Sequence, residues 1–281
     1  MERQVKLCVI GDPVEHSKSP VLQNAMLAAL GLPAAYGTVR VAKEDTAAWL
    51  KRAKAEGYTG FNATMPHKLN LVPLVDTLGP DAKRFGAVNS VSISADGTAE
   101  GYNTDGRGFL RALLDMGVEP QGRTICLLGA GGAAKAVALK LAEAGAEKVI
   151  VCNRTVEKAE TLCALDASGV LAPAGFDGES LKRAAGASTL MVNCTSLGMT
   201  GTTGQFEDLS FVDCLLSGGG VFDLIYSPAE TALLARARRD GLPAANGLGM
   251  LLYQGVFALE HFLHEKLDEA AMAKAAREAL K

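Results

Sequence analysis

Leu127-Leu128-Gly129-Ala130-Gly131-Gly132-Ala133-Ala134 ends one short apolar run and opens a stretch rich in alanine and leucine. Thr124 to Leu128 reads as a strand and Ala133 to Ala144 as a helix, so the glycines fall in a strand-to-helix turn. The segment fits G-x-G-x-x-A, the fingerprint of a dinucleotide-binding βαβ unit. Gly129 permits the tight turn, Gly131 lets a pyrophosphate approach the backbone, and small Ala134 lets the helix pack close to its strand. Free N–H groups and the positive dipole end of the helix then face the phosphates. Gly129, Ala130, Gly131, Gly132 and Ala133 are therefore candidate cofactor-binding residues, against the competing reading of a glycine-rich turn that holds no nucleotide.

The next strand, Lys148 to Cys152, runs into Asn153-Arg154-Thr155. An NAD site usually places Asp or Glu here to hold the ribose 2′-hydroxyl. This chain has Arg154 instead, with Lys158 one helical turn on and Thr155 at the expected N-cap. Two cations and a hydroxyl suit a 2′-phosphate and favour NADP over NAD; a solvated helix start is the plainer alternative. The missing acid also argues against a methyltransferase that binds S-adenosylmethionine.

Strands and helices alternate on both sides of this turn, which implies an α/β fold with mostly parallel sheets. Strands are expected at Val5 to Ile10, Tyr36 to Val41, Thr59 to Thr64, Ala87 to Ser94, Leu190 to Asn193 and Gly220 to Leu224. Helices are expected at Ser19 to Leu30, Glu44 to Glu56, Thr104 to Met116, Val156 to Leu165, Pro228 to Arg239, Gly247 to His264 and Asp268 to Leu280. A length of 281 residues suggests about two domains. The natural boundary is the Thr104 to Met116 helix with the loop after it, and the last two helices are free to pack on either domain.

A net charge of −3 argues against a nucleic-acid-binding protein but leaves room for a small anionic ligand. No apolar run reaches the roughly 18 to 20 residues of a membrane span, and Met1 to Lys6 lacks the apolar region of a signal peptide, so a cytoplasmic location is expected. The 6 cysteines form no CxxC pair and read as small buried residues in a reducing compartment. The 4 histidines form no ligand cluster, and no metal is expected.

Three further stretches carry candidate chemistry. Ser17 and Ser19, in Gly11-Asp12-Pro13-Val14-Glu15-His16-Ser17-Lys18-Ser19-Pro20, lie beyond a strand and before a helix, where ligands bind in open α/β sheets. Two hydroxyls there suit a carboxylate, and ordinary helix capping competes. Lys68, closing Gly60-Phe61-Asn62-Ala63-Thr64-Met65-Pro66-His67-Lys68, is a candidate acid or base. Asp105 offers a carboxylate at a helix entry. Taken singly, these two also read as a surface lysine and an ordinary first-turn acid.

As an ordered set, the stretches resemble the shikimate dehydrogenase family. The resemblance rests on HSKSP at 16–20, NATMPHK at 62–68, GAVNS at 86–90, GYNTD at 101–105, GAGGAAKA at 129–136, NRT at 153–155, NCTSLGM at 193–199, DLIYSPAETALL at 223–234 and GLGMLLYQG at 247–255. It implies a substrate domain of residues 1–105, with 247–281 packing back on it, and a Rossmann-type NADP domain of residues 106–246, with the active cleft between them. It further implies reversible reduction of 3-dehydroshikimate to shikimate by hydride transfer at C3, on the route to aromatic amino acids. Lys68 and Asp105 would form the catalytic pair. Ser17 and Ser19 would bind the substrate carboxylate; Thr64, Asn89, Asp105 and Gln254 would bond the ring hydroxyls, and Tyr226 would line the pocket. Asn153, Arg154, Thr155 and Lys158 would surround the 2′-phosphate, with Leu224 and Gly247 near the nicotinamide. Lys68 would move the proton directly or through water, or stabilise charge on the oxygen. Two positions depart from the family: Ala63, where Val is usual, and His261-Phe262-Leu263-His264, where many members have an aromatic residue and then Gly. The competing readings are a quinate/shikimate dehydrogenase that also uses NAD, and a non-catalytic NADP-binding sensor. Monomer and homodimer both stay open.

Overall fold

The structure is a computed structural model that describes residues 5–33 and 35–280. The chain begins with β1 (Leu7–Gly11), buried along its whole length. Pro20 sets the first turn of α1 (Ser19–Ala29), and β2 (Tyr36–Arg40) follows. A short 3-10 turn, Lys43–Asp45, replaces the expected first turn of the next helix, so α2 is Thr46–Ala55. Next come β3 (Gly60–Ala63), β4 (Thr77–Leu78), α3 (Pro80–Phe85), β5 (Ser90–Ile93), β6 (Ala99–Tyr102) and α4 (Asp105–Asp115).

These strands form a sheet in the order β2-β1-β3-β5-β6-β4. β1 pairs parallel with β2 and β3, and β4 with β6, while β5 runs antiparallel to β3 and β6. The turn Ala95-Asp96-Gly97 makes the antiparallel pair possible, because Gly97 takes φ +84° and closes a hairpin between β5 and β6.

The second series is wholly parallel. It contains β7 (Thr124–Leu128), α5 (Gly132–Glu143), β8 (Lys148–Cys152), α6 (Val156–Cys163), β9 (Leu171–Ala174), α7 (Gly178–Gly186), β10 (Leu190–Asn193), β11 (Gly220–Asp223), α8 (Ala232–Arg239) and β12 (Ala244–Asn246). Its strand order is β12-β11-β10-β7-β8-β9. The order reverses between β7 and β10, and the crevice beyond the carboxyl ends of those strands is where such sheets bind dinucleotides. α8 starts later than Pro228 because Thr231 caps it, its hydroxyl accepting the Leu234 N–H. The chain closes with α9 (Leu248–Leu263) and α10 (Glu269–Glu278), the latter capped by Asp268.

Two compact units result. One is Met1–Gly108 with Leu251–Lys281; the other is Phe109–Met250. Both divisions fall inside helices, α4 and α9, a few residues later than the sequence-based boundaries. The first core centres on Ile10, Trp49, Phe61 and Val91, and the second on Leu128, Phe211, Val221 and Leu234. All six cysteines are free; Cys8, Cys126 and Cys152 are buried, and Cys163, Cys194 and Cys214 are half-buried. Among the described residues no helix is long and apolar enough to cross a membrane, and no His, Cys, Asp and Glu cluster has the makings of a metal site.

The two unusual histidines at the end of α9 have distinct consequences. His264, just past the helix end, takes φ +50°, the sole non-glycine residue with positive φ among those described. That conformation strains an L residue by about 1 kcal/mol, so His264→Gly is expected to raise stability by up to about that amount in urea unfolding. His261 stacks on Tyr102 with ring centroids 3.6 Å apart. Burial pushes its pKa down from 6.5 to about 4, Glu260 opposing and Arg107 assisting. The imidazole therefore stays neutral in the fold while the unfolded chain takes up a proton, and stability is lost as pH falls from 6.5 toward 4. His261→Phe keeps the ring and removes the titration, so its urea midpoint should fall less across that window.

Candidate active site

Parallel pairing of β1 with β3 aligns Ile10 with Ala63, so both strands end at the same edge of the first sheet. Antiparallel β5 starts at that edge, with Ser90 opposite Asn62, and β6 ends there, with Tyr102 opposite Ser90. The loop bearing Ser17 and Ser19, the turn bearing Thr64 and Lys68, the residue Asn89 and the helix entry at Asp105 therefore gather at one edge. The close approach of the first two is fixed by Gly11, where a Cβ would lie 2.5 Å from the Thr64 methyl.

Lys68 Nζ donates to Asp105 Oδ2 at 2.6 Å, with the lysine partly exposed and the carboxylate nearly buried. The pair is locked from several sides. The Val88 N–H donates to the Lys68 carbonyl. Neighbouring His67 is fully buried, its Nε2 2.9 Å from the Val41 carbonyl and its Nδ1 2.8 Å from the Thr46 hydroxyl. Burial lowers the His67 pKa, so the ring is a neutral anchor for the turn rather than a second acid. Asn103 Oδ1 accepts the Asp105 N–H, and its amide donates to the Ala87 carbonyl. Asn89 Nδ2 donates to Asp105 Oδ1 at 2.8 Å and to Thr104 Oγ1 at 3.0 Å. Both amide hydrogens of Asn89 are thus engaged within the protein.

Ser17 Oγ accepts the Ser19 N–H at 3.2 Å, a local turn at the entry to α1, while the Ser17 O–H and the Ser19 hydroxyl face no such cap. Gln254 sits on α9 with its backbone against α4: a Cβ on Gly108 would meet the Gln254 nitrogen at 2.6 Å. Gly108 is one turn beyond Asp105, so this close crossing brings Gln254 beside the helix entry. Its side-chain amide donates to the Leu251 carbonyl of its own helix.

The second unit holds the remaining candidates. Gly129 takes φ +103°, which only glycine adopts readily, and a Cβ there would meet the Thr195 methyl at 3.2 Å. Gly131 and Gly132 face open space, and the start of α5 has no side-chain cap. Its first N–H groups are thus presented to an anion. Ala134 is fully buried against the sheet. At the end of β8, the Asn153 amide donates to the Thr155 carbonyl, and Thr155 begins α6 without using its hydroxyl as a cap. Arg154, Thr155 and Lys158 are exposed, and neither cation has an ion-pair partner among the described residues. Gly247 packs directly on the Leu224 carbonyl, where a Cβ would lie 1.8 Å away. Tyr226 is half-buried, and burial raises its pKa.

Sequence reasoning gave no role to Asp223. Its fully buried carboxylate accepts from Asn193 Nδ2, the Ile225 N–H and the Thr231 hydroxyl, tying the loops after β10 and β11 together. Burial raises its pKa, and these three donors oppose that. An acid closing the apolar strand Gly-Val-Phe-Asp was the available signal.

Three family models match the chain: the shikimate dehydrogenase substrate binding domain at residues 9–91, shikimate/quinate 5-dehydrogenase at 114–172, and the shikimate 5′-dehydrogenase C-terminal domain at 247–277. Shikimate dehydrogenase (NADP(+)) of Moorella thermoacetica is 41% identical over 278 residues, 98% of this chain and 93% of the relative. This chain belongs to the shikimate dehydrogenase family. Among solved shikimate dehydrogenases, the Thermus thermophilus enzyme in complex with NADP(H) and shikimate superposes with a TM-score of 0.85 at 34% identity, covering 98% of this chain and 100% of that one. Quinate dehydrogenase from Corynebacterium glutamicum in complex with NAD matches with a TM-score of 0.87 at 29% identity, covering 98% and 99%. The shikimate dehydrogenase fold thus accompanies more than one substrate and more than one nicotinamide cofactor.

Proposed function

We propose that this chain is an NADP-dependent shikimate dehydrogenase that interconverts 3-dehydroshikimate and shikimate. The observation that carries the reading is the Lys68–Asp105 contact of 2.6 Å, held at the edge where the loops of the first sheet converge. Oxidation of a secondary alcohol needs a proton removed from the hydroxyl as hydride leaves its carbon. Lys68 is the group that takes that proton and returns it in the reverse direction, and the Asp105 carboxylate orients both the ammonium and the substrate hydroxyl. Ser17 and Ser19 hold the substrate carboxylate, and Thr64 and Gln254 hold ring hydroxyls, while Asn89, its amide hydrogens committed to Asp105 and Thr104, fixes the carboxylate beside them. NADP supplies the hydride chemistry. The open glycines and uncapped N–H groups of α5 fit its pyrophosphate, and the unpaired Arg154 and Lys158, with Asn153 and Thr155, fit its 2′-phosphate. Leu224 and Gly247, packed against each other, would flank its nicotinamide. The partner is a small molecule, in keeping with a net charge of −3, and the six free cysteines accord with a cytoplasmic location.

The alternative, quinate oxidation with NAD, is supported by the quinate dehydrogenase likeness and opposed by Arg154 standing where a ribose-binding acid belongs. The test is absorbance of the reduced cofactor with shikimate and quinate, each against NADP⁺ and NAD⁺. Turnover confined to shikimate with NADP⁺ supports the proposal. Comparable turnover of quinate or use of NAD⁺ replaces it with the relaxed-specificity reading, and NADP⁺ binding without any turnover replaces it with a sensor.

A further inference from the structure

A continuous chain of buried hydrogen bonds crosses the first sheet and ends on Asp105. Tyr36 on β2 donates its hydroxyl proton to Asn62 Oδ1 at 2.7 Å. Asn62 Nδ2 on β3 donates to Ser90 Oγ at 2.8 Å. The Ser90 hydroxyl on β5 donates to Asn89 Oδ1 at 2.9 Å, and Asn89 Nδ2 donates to Asp105 Oδ1 at 2.8 Å. Every donor points the same way, toward the carboxylate whose other oxygen faces Lys68.

From this geometry we infer that Tyr36, Asn62 and Ser90 are positioning residues for Asp105, acting through the Asn89 side chain. The inference rests on the assignment of Lys68 and Asp105 as the reacting pair. Ser90 is 0% exposed and Tyr36 4%, so neither reaches a substrate from where it stands. Their polar atoms are nonetheless aligned rather than merely satisfied. Asn89 can present N–H to Asp105 only if its amide oxygen points the other way, and that orientation is fixed by the three protons its oxygen accepts, from the Ser90 hydroxyl, the Thr104 N–H and the Thr104 hydroxyl. Asn62 is fully committed in turn: its second amide hydrogen goes to the Asn89 carbonyl, and its oxygen takes the Tyr36 proton. Burial raises the Tyr36 pKa, which keeps the phenol a donor. Bonds aligned in series in a low-dielectric interior polarise one another, so the far end matters to the near end. The two amides break any proton path; the chain orients a carboxylate and carries no proton.

The test is a double-mutant cycle in the full-length protein, read as kcat for shikimate and as shikimate affinity by calorimetry. Ser90→Ala is expected to lower kcat about 10-fold and shikimate affinity about 5-fold, and Tyr36→Phe to lower kcat about 3-fold, with NADP⁺ affinity unchanged in both. In an Asp105→Asn background, adding Ser90→Ala should cost less than about 2-fold in shikimate affinity, because the group it serves is already altered. The same loss of affinity in both backgrounds, or wild-type kcat for Ser90→Ala, overturns the inference in favour of a purely structural role. Should Ser90→Ala lose its circular dichroism, Tyr36→Phe decides: it leaves the Ser90–Asn89–Asp105 bonds intact, and wild-type kcat in it overturns the inference. Failure of the underlying assignment looks different, since Asp105→Asn alone would then turn over like the unmodified enzyme.

Discussion

Lys68→Ala is expected to lower kcat for shikimate oxidation about a thousandfold while changing KM less than about 3-fold. The asymmetry follows from where the ammonium sits. It contacts the Asp105 carboxylate at 2.6 Å and is partly exposed, so alanine opens a space that water fills without disturbing the bonds from Asn89 and Asn103 that hold Asp105. Groups that bind the substrate carboxylate and hydroxyls stay in place, and the ground state is bound nearly as before. The lost function is proton transfer in the transition state, which appears in kcat. Lys68→Arg makes the argument sharper: it keeps the charge but not a base, and should remain within about 10-fold of the alanine variant. Steady-state kinetics in both directions decides it, and a Lys68→Ala enzyme with unaltered kcat would strip Lys68 of its catalytic role.

Arg154→Ala should weaken NADP⁺ binding by about 30-fold and leave NAD⁺ binding within about 2-fold, measured by fluorescence titration. Arg154 and Lys158 are exposed and unpaired, so neither is engaged in holding the fold and stability should not change. Exposure also makes the interaction sensitive to ionic strength, and the discrimination should shrink as salt rises. Adding Lys158→Ala should extend the loss for NADP⁺ alone. Equal losses for both cofactors would mean that Arg154 does not read the 2′-phosphate.

The dinucleotide half was the more legible part of the sequence. Thr124–Leu128, Lys148–Cys152 and Leu190–Asn193 are found with the bounds read from sequence, because each is an apolar run cut off sharply by glycine or polar residues. β4, β6, β9, β12, α3 and α7 were not expected. β4 has two residues, β6 contains both Glu100 and Gly101, and β9 carries Pro173, so none shows a usable period. In the site, Lys68 and Asp105 stood out only within an ordered series of motifs; singly they were ordinary. Asn62 and Ser90 were invisible in a different way. A polar residue inside an apolar strand reads as an interruption until the partner on the next strand is known, and that partner is a matter of register.

The first unit is discontinuous, with residues Leu251–Lys281 returning to Met1–Gly108 after the whole of Phe109–Met250. Gln23 on α1 donates to the Gly255 carbonyl across 232 positions of sequence, and α1 packs on α10. This has a consequence for biosynthesis. As the chain leaves the ribosome, Gln23 and Met26 of α1 have no Gly255 on α9 to lie against, and α1 has no α10, until roughly 10 to 30 s after residue 108 has been made. The inserted unit is continuous and can complete itself during that delay. The segment that carries Lys68 and Asp105 is thus translated early and finished last, with an apolar helix face waiting for the final helices to cover it.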